Sequence, residues 1–250
     1  RLCPRCSSPR LIHFGIGTQK VEEETKRLFP QARILRWDRD TTQKQRAHEE
    51  IFAKFHAQKA DVLIGTQMIA KGLDLPKVTL VGVISADTGL NPPDFRAGER
   101  TFQLVCQVAG RAGRGRAQGR VFVQTYCPDH YAITTASRHD YLAFYMHEID
   151  YRRRLDYPPF SRLIRLVYSH TNNIVCRREA EKLYRILTDE KHRKVKSSLR
   201  FIGPLPSYIP RIHGRYQWQI ILCGIGLPMF LSEIQLAKGW VIDVDPVSVI

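Results

Sequence analysis

The sequence predicts an α/β protein with two parts, a parallel-sheet lobe followed by a small α+β domain. Over the first two thirds of the 250 residues, apolar strand-like runs alternate with helical patterns, which is typical of βαβ units and a parallel sheet. The run Tyr157-Pro158-Pro159-Phe160 then breaks the alternation, because proline fixes φ and lacks a backbone N–H. We therefore expect the lobe at residues 11–156 and the second domain at residues 157–250.

The individual elements follow from local composition. Apolar or β-branched runs suited to strands lie at residues 11–14, 33–37, 61–64, 78–85 and 121–126, then at 162–169, 216–223 and 240–245. Helical patterns cover residues 18–29 (ended by Pro30), about 41–55 (capped by Thr41 or Thr42), a long stretch from Arg96, 140–155, 174–188 and 229–238. A basic polar stretch at 190–200 lies between the helical pattern at 174–188 and the strand-like run at 216–223. The second domain should form an antiparallel or mixed sheet.

The chain is strongly basic. It carries 39 Lys and Arg against 24 Asp and Glu, a net charge of +15. Residues 1–148 contribute +7 and residues 149–250 contribute +8, so charge is denser in the second part. This excess favours polyanionic partners such as nucleic acid, although a solvated basic surface would also produce it. A hydrophobic fraction of 43% excludes a disordered chain, and no apolar run approaches the ~18 residues of a membrane span.

Cysteine usage separates one pair from the rest. Cys3-Pro4-Arg5-Cys6 has the spacing of a zinc-binding pair, but tetrahedral zinc needs four ligands and no second such pair follows. We therefore expect the chain to begin inside a metal-binding region, with Cys3 and Cys6 as metal ligands. The other cysteines are single residues in apolar or helical patterns, as in proteins of a reducing compartment: Cys106, Cys127, Cys176 and Cys223.

The most specific segment is Gln107-Val108-Ala109-Gly110-Arg111-Ala112-Gly113-Arg114. Two arginines three residues apart at the end of a helix can reach one anion, and glycine lets a phosphate approach the backbone closely. Guanidinium groups suit the charge that develops on a transferred γ-phosphoryl group, which is the role of an arginine finger. A basic helix end stabilised by the helix dipole would have the same composition.

This segment resembles motif VI of the superfamily 2 helicases, and an earlier segment supports the resemblance. Gly65-Thr66-Gln67-Met68-Ile69-Ala70-Lys71-Gly72-Leu73-Asp74 follows a predicted buried strand and resembles motif V. The resemblance implies that Thr66, Gln67 and Lys71 contact DNA, while Gly72 and Asp74 face the nucleotide. A hydroxyl and backbone N–H groups at a strand-to-helix turn are able to bind phosphate.

Further segments extend the resemblance to the primosomal protein N′ family of replication-restart helicases, over essentially the whole chain. They are GIGTQKVEE at 15–23, DRDTT at 38–42, DFRAGER at 94–100 and GRYQWQI at 214–220. The resemblance implies a RecA-like second helicase lobe and a C-terminal domain that contacts branched DNA. It also implies a zinc insertion ending at residues 1–10, with Cys3 and Cys6 as its last Zn²⁺ ligands.

The same resemblance implies roles in an ATP-dependent 3′→5′ DNA helicase of the bacterial cytoplasm and nucleoid, which restarts stalled replication forks through primosome assembly. Arg111 and Arg114 would complete a site for ATP with Mg²⁺ that is held mainly by an absent first lobe. Gln107 would orient these arginines or contact the nucleotide, and Gly110 and Gly113 would lie beside the nucleotide. Gly17 and Thr18 open a helix and are candidate ligands of a DNA phosphate, although Thr18 is equally expected to be a simple helix cap.

One expected motif is missing from the chain. The sequence has no G-x-x-x-x-G-K-[ST] loop to bind ATP phosphates, so the chain alone is expected not to hydrolyse ATP. Asp189-Glu190-Lys191-His192 matches a DExH box, but it follows a helical pattern and comes after motif VI. We interpret it as a solvated helix end. A non-enzymatic module that binds nucleic acid and partners, or another superfamily 2 translocase, are the alternative interpretations.

The segment Arg215-Tyr216-Gln217-Trp218-Gln219 alternates polar and aromatic residues, as a half-buried strand does. Tyr216 and Trp218 would pack against a helix, and the polar residues would face the other way, towards phosphate or an acidic peptide. The family resemblance implies that Arg215 and Gln219, with Trp218, bind the acidic C-terminal tail of single-stranded DNA-binding protein. We interpret the basic run at 191–196 as a solvated loop.

Overall fold

The computed structural model describes residues 17–38, 41, 47–70, 77–110, 112, 119–194 and 199–250. The helices are α1 (Thr18–Leu28), α2 (Ala47–His56), α3 (Asp87–Leu90), α4 (Ala97–Ala109), α5 (Tyr131–Ser137), α6 (Tyr141–Arg154), α7 (Asn173–Lys194) and α8 (Leu227–Ser232). The strands are β1 (Ile34–Trp37), β2 (Val62–Gly65), β3 (Leu80–Val83), β4 (Arg120–Val123), β5 (Arg162–His170), β6 (Arg200–Ile212), β7 (Arg215–Gly224) and β8 (Trp240–Val244).

The chain forms two compact units. The described residues within 1–91 and 99–141 form unit 1, and those within 92–98 and 142–250 form unit 2. The main division therefore falls between residues 141 and 142, at the start of α6. The proline run at 157–160, where the sequence predicted the boundary, follows the end of that helix. The short segment 92–98 belongs to unit 2 although its neighbours on both sides in sequence belong to unit 1.

Unit 1 is an α/β unit with parallel strand pairs. β1 pairs with β2, from Ile34 opposite Val62 to Trp37 opposite Gly65. β3 pairs with β4 in the same parallel sense. Parallel neighbours need crossover connections, which here contain helices. The α/β prediction for the first part is therefore confirmed. The predicted strand at 11–14 and the candidate cap Thr42 lie outside the described residues. The other candidate cap, Thr41, accepts a 3.0 Å hydrogen bond on its hydroxyl from the Asp38 backbone N–H.

Unit 2 is a four-stranded antiparallel sheet in the order β6-β7-β5-β8. Because successive side chains of a strand point to opposite faces, both faces of β5 and β7 contribute to a core. One face packs with α7 and α8 through residues that include Ile164, Leu166, Leu183, Leu187, Ile220 and Leu222. The other face packs Leu163, Ile221, Cys223 and Val249 around the half-buried Phe95. The prediction of an α+β domain is thus confirmed, and its sheet is antiparallel, not mixed.

Two expectations for the second domain were wrong. Residues 191–194 are not a loop, because α7 continues to Lys194, with the Lys191 ammonium 5.3 Å from the Phe201 ring centroid. The DExH-like residues therefore lie in the last turns of a helix, as interpreted. The helix expected at 229–238 runs from Leu227 to Ser232 instead, since proline is well tolerated in a first helical turn.

Candidate nucleotide and DNA-binding site

The carboxyl ends of β1 and β2 bring several predicted DNA-binding residues to one edge of unit 1. Trp37 lies opposite Gly65 in the parallel pair, so the next residues, Asp38 and Thr66, leave the sheet on the same side. The Thr18 hydroxyl donates a 2.5 Å hydrogen bond to Asp38 Oδ2, which places the N-terminus of α1 there too. We call this group the β1–β2 edge: Gly17, Thr18, Asp38, Thr66 and Gln67. Ligands of open α/β sheets bind at the carboxyl ends of the strands.

Helix α1 begins at this edge without a side-chain cap. Gly17 is the N-cap, with φ −64° and ψ 151° and no side-chain cap hydrogen bond. Thr18 is therefore not the cap, since its hydroxyl is directed to Asp38. The first N–H groups of a helix have no intrahelical partner and carry the positive end of the helix dipole. An anionic oxygen such as a DNA phosphate would satisfy both features.

Asp38 organises the edge, although the sequence assigned it no role. Its side chain is buried, and Oδ1 accepts a 3.0 Å hydrogen bond from the Thr41 backbone N–H. The Arg36 Nε lies 2.9 Å from Oδ2. Burial raises the pKa of Asp38, but the hydrogen bonds of Thr18 and Thr41 and the charge of Arg36 together hold it below its ordinary value. The carboxylate is therefore ionised at neutral pH and fixes the Thr18 hydroxyl.

The motif V turn follows a strand that approaches β1 closely. A Cβ atom on Gly65 would lie 2.3 Å from the Trp37 carbonyl oxygen, so glycine is required for this approach. Thr66 and Gln67, the next two residues, are exposed, and a 3₁₀ turn begins at Gln67. Their hydroxyl and amide groups are therefore accessible to a ligand. Lys71, Gly72 and Asp74 lie outside the described residues.

Helix α4 leads to the motif VI residues. Phe102, Val105 and Val108, which are spaced three residues apart along the helix, are buried. Gln107 lies in the last turn and is exposed, and the Gly110 N–H donates to the Cys106 carbonyl at 3.0 Å. The structure thus places Gln107 and Gly110 at the carboxyl end of α4. Arg111, Gly113 and Arg114 lie outside the described residues.

Sequence reasoning missed Asp87, which organises the ends of β3 and β4. The Asp87 side chain is 2% exposed, and its Oδ1 accepts a 2.9 Å hydrogen bond from the Thr125 hydroxyl. The Tyr126 backbone N–H lies 3.1 Å from both carboxylate oxygens. An acidic residue soon after a buried strand was the available signal, as it was for Asp38.

The three predicted tail-binding residues of unit 2 differ in exposure. Arg215 is exposed, and its Nη2 donates to the Ser169 carbonyl at 2.9 Å. Trp218 points to α7, where its Nε1 donates to Asn173 Oδ1 at 2.9 Å. Gln219 is only 3% exposed, and its Oε1 accepts a 2.7 Å hydrogen bond from Arg165 Nε. The alternating pattern is as expected, and within the described unit the Gln219 amide is already engaged.

The β6–β7 hairpin carries a second basic surface. The register shifts between the pairs Pro206–Trp218 and Arg211–Tyr216, because β6 has more residues than β7 between them. The residues from 208 to 215, which we call the hairpin tip, are all exposed. The Arg211 guanidinium lies 5.1 Å from the centroid of the Tyr216 ring. The sequence from Lys191 to Ser232 contains seven Lys or Arg and no Asp or Glu, so the tip lies in a locally positive segment.

Metal binding and membrane insertion receive no support from the described ranges. Within them, no three His, Cys, Asp or Glu side chains lie close enough together to hold a metal ion, and Cys3 and Cys6 are outside them. None of the described helices is both long and apolar enough to cross a bilayer.

Two parts of the chain match known protein families, and the whole chain matches curated relatives. Residues 6–116 match the helicase conserved C-terminal domain, and residues 153–247 match the primosomal protein N C-terminal domain. Replication restart protein PriA of Bacillus subtilis (strain 168) is 47% identical over 220 residues, which are 88% of this chain and 27% of that protein. PriA of Synechocystis sp. is 42% identical over 259 residues, 100% of this chain and 30% of that protein. PriA of Treponema pallidum is 39% identical over 257 residues, 99% of this chain and 38% of that protein.

The fold and these matches define a RecA-like second helicase lobe followed by a small α+β C-terminal domain. The chain is similar to replication restart protein PriA over 88–100% of its own length at 39–47% identity in these three relatives, which confirms the resemblance seen in the sequence. It spans between 27% and 38% of the length of the three relatives above.

Proposed function

We propose that this chain is part of an ATP-dependent 3′→5′ DNA helicase that recognises stalled replication forks and restarts replication. The observation that carries the proposal is the β1–β2 edge. It joins an uncapped helix N-terminus, an oriented threonine and an exposed Thr-Gln pair in a chain that matches a helicase domain. Such donors hold DNA phosphates without reading the bases, which suits movement along any sequence.

ATP with Mg²⁺, when bound mainly by a first helicase lobe, supplies the γ-phosphoryl group whose transfer to water drives the cycle. From this chain, Arg111 and Arg114 neutralise the charge that develops during transfer. Gln107 orients these arginines or contacts the nucleotide. Gly110, Gly113, Gly72 and Asp74 lie against the nucleotide. Thr18, Thr66, Gln67 and Lys71 hold the DNA backbone, so that closing and opening of the lobes advances these contacts along one strand.

The proposed partners follow from the charge and from the family. The locally positive hairpin tip supports contact with branched or single-stranded DNA. The exposed Arg215, rather than the α7-facing Trp218 or the buried Gln219, supports binding of the acidic tail of single-stranded DNA-binding protein. Assembly with other primosome proteins in the bacterial cytoplasm and nucleoid would complete this role. Cys3 and Cys6 are proposed to bind Zn²⁺ together with ligands outside this chain, and no step above depends on zinc.

The test is ATP-driven unwinding of forked DNA by the intact protein, with Thr66→Ala as the probe. Thr79→Ala is the matched control, because Thr79 is an exposed threonine that precedes β3. We expect Thr66→Ala to slow unwinding and to weaken DNA stimulation of ATP hydrolysis, while Thr79→Ala has no effect. An intact protein that binds forks but hydrolyses no ATP would contradict the proposal and favour the non-enzymatic binding module.

The 250-residue chain by itself should bind DNA without hydrolysing ATP. It contains no G-x-x-x-x-G-K-[ST] loop, and that loop cradles the phosphates in such enzymes. Equilibrium binding of fluorescent forked DNA and a phosphate-release assay on the same preparation would check both halves. ATP hydrolysis by the purified chain would mean that it holds a nucleotide site of a different kind.

A further inference from the structure

We propose that the open edge of strand β8 is a docking site for a partner protein. The occupant is an extended segment in which apolar residues alternate with lysine or arginine, and it adds a fifth strand to the sheet of unit 2. All residues of the site belong to that unit. The inference concerns a protein partner and does not depend on ATP hydrolysis.

The backbone of β8 is paired on one side. It is the last strand of the four-stranded sheet, and within the described residues its neighbour is β5. In an antiparallel pair, residues that bond to the neighbour alternate with residues whose N–H and C=O point away from it. The Asp245 N–H donates to the Leu163 carbonyl at 2.9 Å, which fixes this alternation. The N–H and C=O groups of Ile242 and Val244 therefore point to the open side.

The same two residues carry exposed apolar side chains. Ile242 lies opposite Leu166 and Val244 lies opposite Ile164, so both side chains are on the face that packs with α7 and α8. The side chains of β5 are buried there, whereas Ile242 is 46% and Val244 is 47% exposed. A strand added at this edge would place its own apolar side chains beside them.

The apolar row ends at a cavity. Trp240 precedes Ile242 by two residues, so its side chain lies on the same face of the sheet. It lines a cavity of about 300 Å³ with Leu183, Ile186 and Leu236, where the charges of Glu179 and Lys182 balance each other. The partner residue opposite Trp240 would have its side chain on this face, and the cavity favours a large apolar group there.

The opposite face of β8 carries a negative charge. Asp243 is exposed, and it lies opposite Arg165 in the strand pair. The Arg165 guanidinium senses that charge, but its Nε donates to Gln219 Oε1 at 2.7 Å. Asp243 consequently makes no salt bridge within the described residues, whereas Asp245 pairs with Arg162. A lysine or arginine of the partner opposite Asp243 would form a cross-strand pair of opposite charge.

The charge of Asp243 disfavours two other occupants of this edge. The strand Trp240–Val244 contains no Lys or Arg, so a DNA phosphate would meet a like charge there. Two antiparallel copies of β8 centred on Asp243 would bring the two carboxylates opposite each other, which is destabilising. The row of apolar side chains, the open backbone groups and the carboxylate together fit a basic peptide that binds by strand addition.

The experiment measures binding of a short fluorescent peptide of alternating Val and Lys to the intact protein. Its Val residues should lie opposite Ile242 and Val244, with their N–H groups directed to β8. N-methylation of the Val residues should therefore raise Kd about tenfold or more, whereas N-methylation of the Lys residues should have little effect. A peptide of the same composition in the order Val-Val-Lys-Lys should not bind, because its apolar residues do not share one face.

Charge reversal in the protein gives a second, independent test. Asp243→Lys should raise Kd for the Val-Lys peptide about threefold or more and lower Kd for a peptide of alternating Val and Asp. Asp189→Lys is the matched control, since Asp189 is exposed on α7 and away from β8. It should leave the preference for the Val-Lys peptide unchanged.

Amide hydrogen exchange locates the bound peptide. In the free intact protein, the amides of Ile242 and Val244 should exchange rapidly, whereas the Asp243 amide, which faces β5, should be protected. The Val-Lys peptide should protect Ile242 and Val244. Equal binding of the Val-Val-Lys-Lys peptide, or equal effects of Asp243→Lys and Asp189→Lys, would overturn the proposal. So would protection of Ile242 and Val244 in the free protein, or their protection by forked DNA instead of the peptide.

Discussion

At the scale of the residue, Gly65 shows how closely β2 approaches β1. Its hypothetical Cβ would meet the Trp37 carbonyl oxygen at 2.3 Å, and neither backbone can move without shifting the parallel pair. Gly65→Ala should therefore destabilise unit 1 by about 1–3 kcal/mol, the usual cost of overpacking. Gly82→Ala is the control, because a Cβ there meets nothing within 4 Å, and it should be neutral.

The measurement for this prediction is urea unfolding followed by Trp37 fluorescence, with Trp218 and Trp240 replaced by phenylalanine. Of the three tryptophans in the chain, Trp37 lies in unit 1, whereas Trp218 and Trp240 lie in unit 2. Equal stability of the Gly65→Ala and Gly82→Ala variants would show that the close approach of the two strands is not required.

Asp38 makes a prediction about pH. Its folded-state pKa lies below the ordinary 3.8, as a result of hydrogen bonds and of Arg36 that outweigh its burial. Its ionised form therefore stabilises unit 1 above about pH 4, and this contribution is lost as the pH falls through the lowered folded-state pKa. Between about pH 5 and 3, unfolding free energy should fall less steeply in Asp38→Asn than in the wild type. Asp129→Asn, in an exposed turn, should keep the wild-type slope, and a parallel fall in all three proteins would refute the role of Asp38.

At the scale of the element, the sequence located most helices and strands because their apolar periodicity is local. Strand β6 was not predicted, because Pro204, Pro206 and Pro210 argue against a strand interior. The structure resolves this conflict by placing β6 at the edge of the sheet, with register shifts near these prolines. Edge position is a property of the whole sheet, so periodicity within the strand could not reveal it.

The β6–β7 hairpin makes a prediction about DNA binding. Arg211 is exposed at the tip, where its Nε donates to the Gly214 carbonyl at 3.3 Å. Arg211→Ala should weaken single-stranded DNA binding uniformly across sequences and reduce the slope of log K against log salt by about one. Lys238→Ala is the control, since Lys238 is exposed beside the opposite edge strand, β8. Unchanged slopes for Arg211→Ala would place the DNA contact of unit 2 elsewhere.

At the scale of the whole molecule, motifs in the sequence indicated the family, but contacts between distant residues were beyond it. The hydrogen bond from Thr18 to Asp38 and the burial of Gln219 against Arg165 both depend on how strands align. The place of segment 92–98 in unit 2 likewise depends on hydrogen bonds from Ser248 and Val249, far along the chain, to Asp94. Local patterns contain no information about such pairings, which is why the sequence named candidate site residues but not the contacts around them.

The central claim is that motif VI of this chain completes the ATP site of a helicase. The most direct measurement is DNA-stimulated ATP hydrolysis by the intact protein and its Arg114→Ala variant, with Arg120→Ala as a charge-matched control on the exposed side of β4. We predict that Arg114→Ala lowers kcat about 10³-fold or more while DNA binding is retained, and that Arg120→Ala hydrolyses ATP like the wild type. Wild-type hydrolysis by the Arg114→Ala variant would contradict the claim.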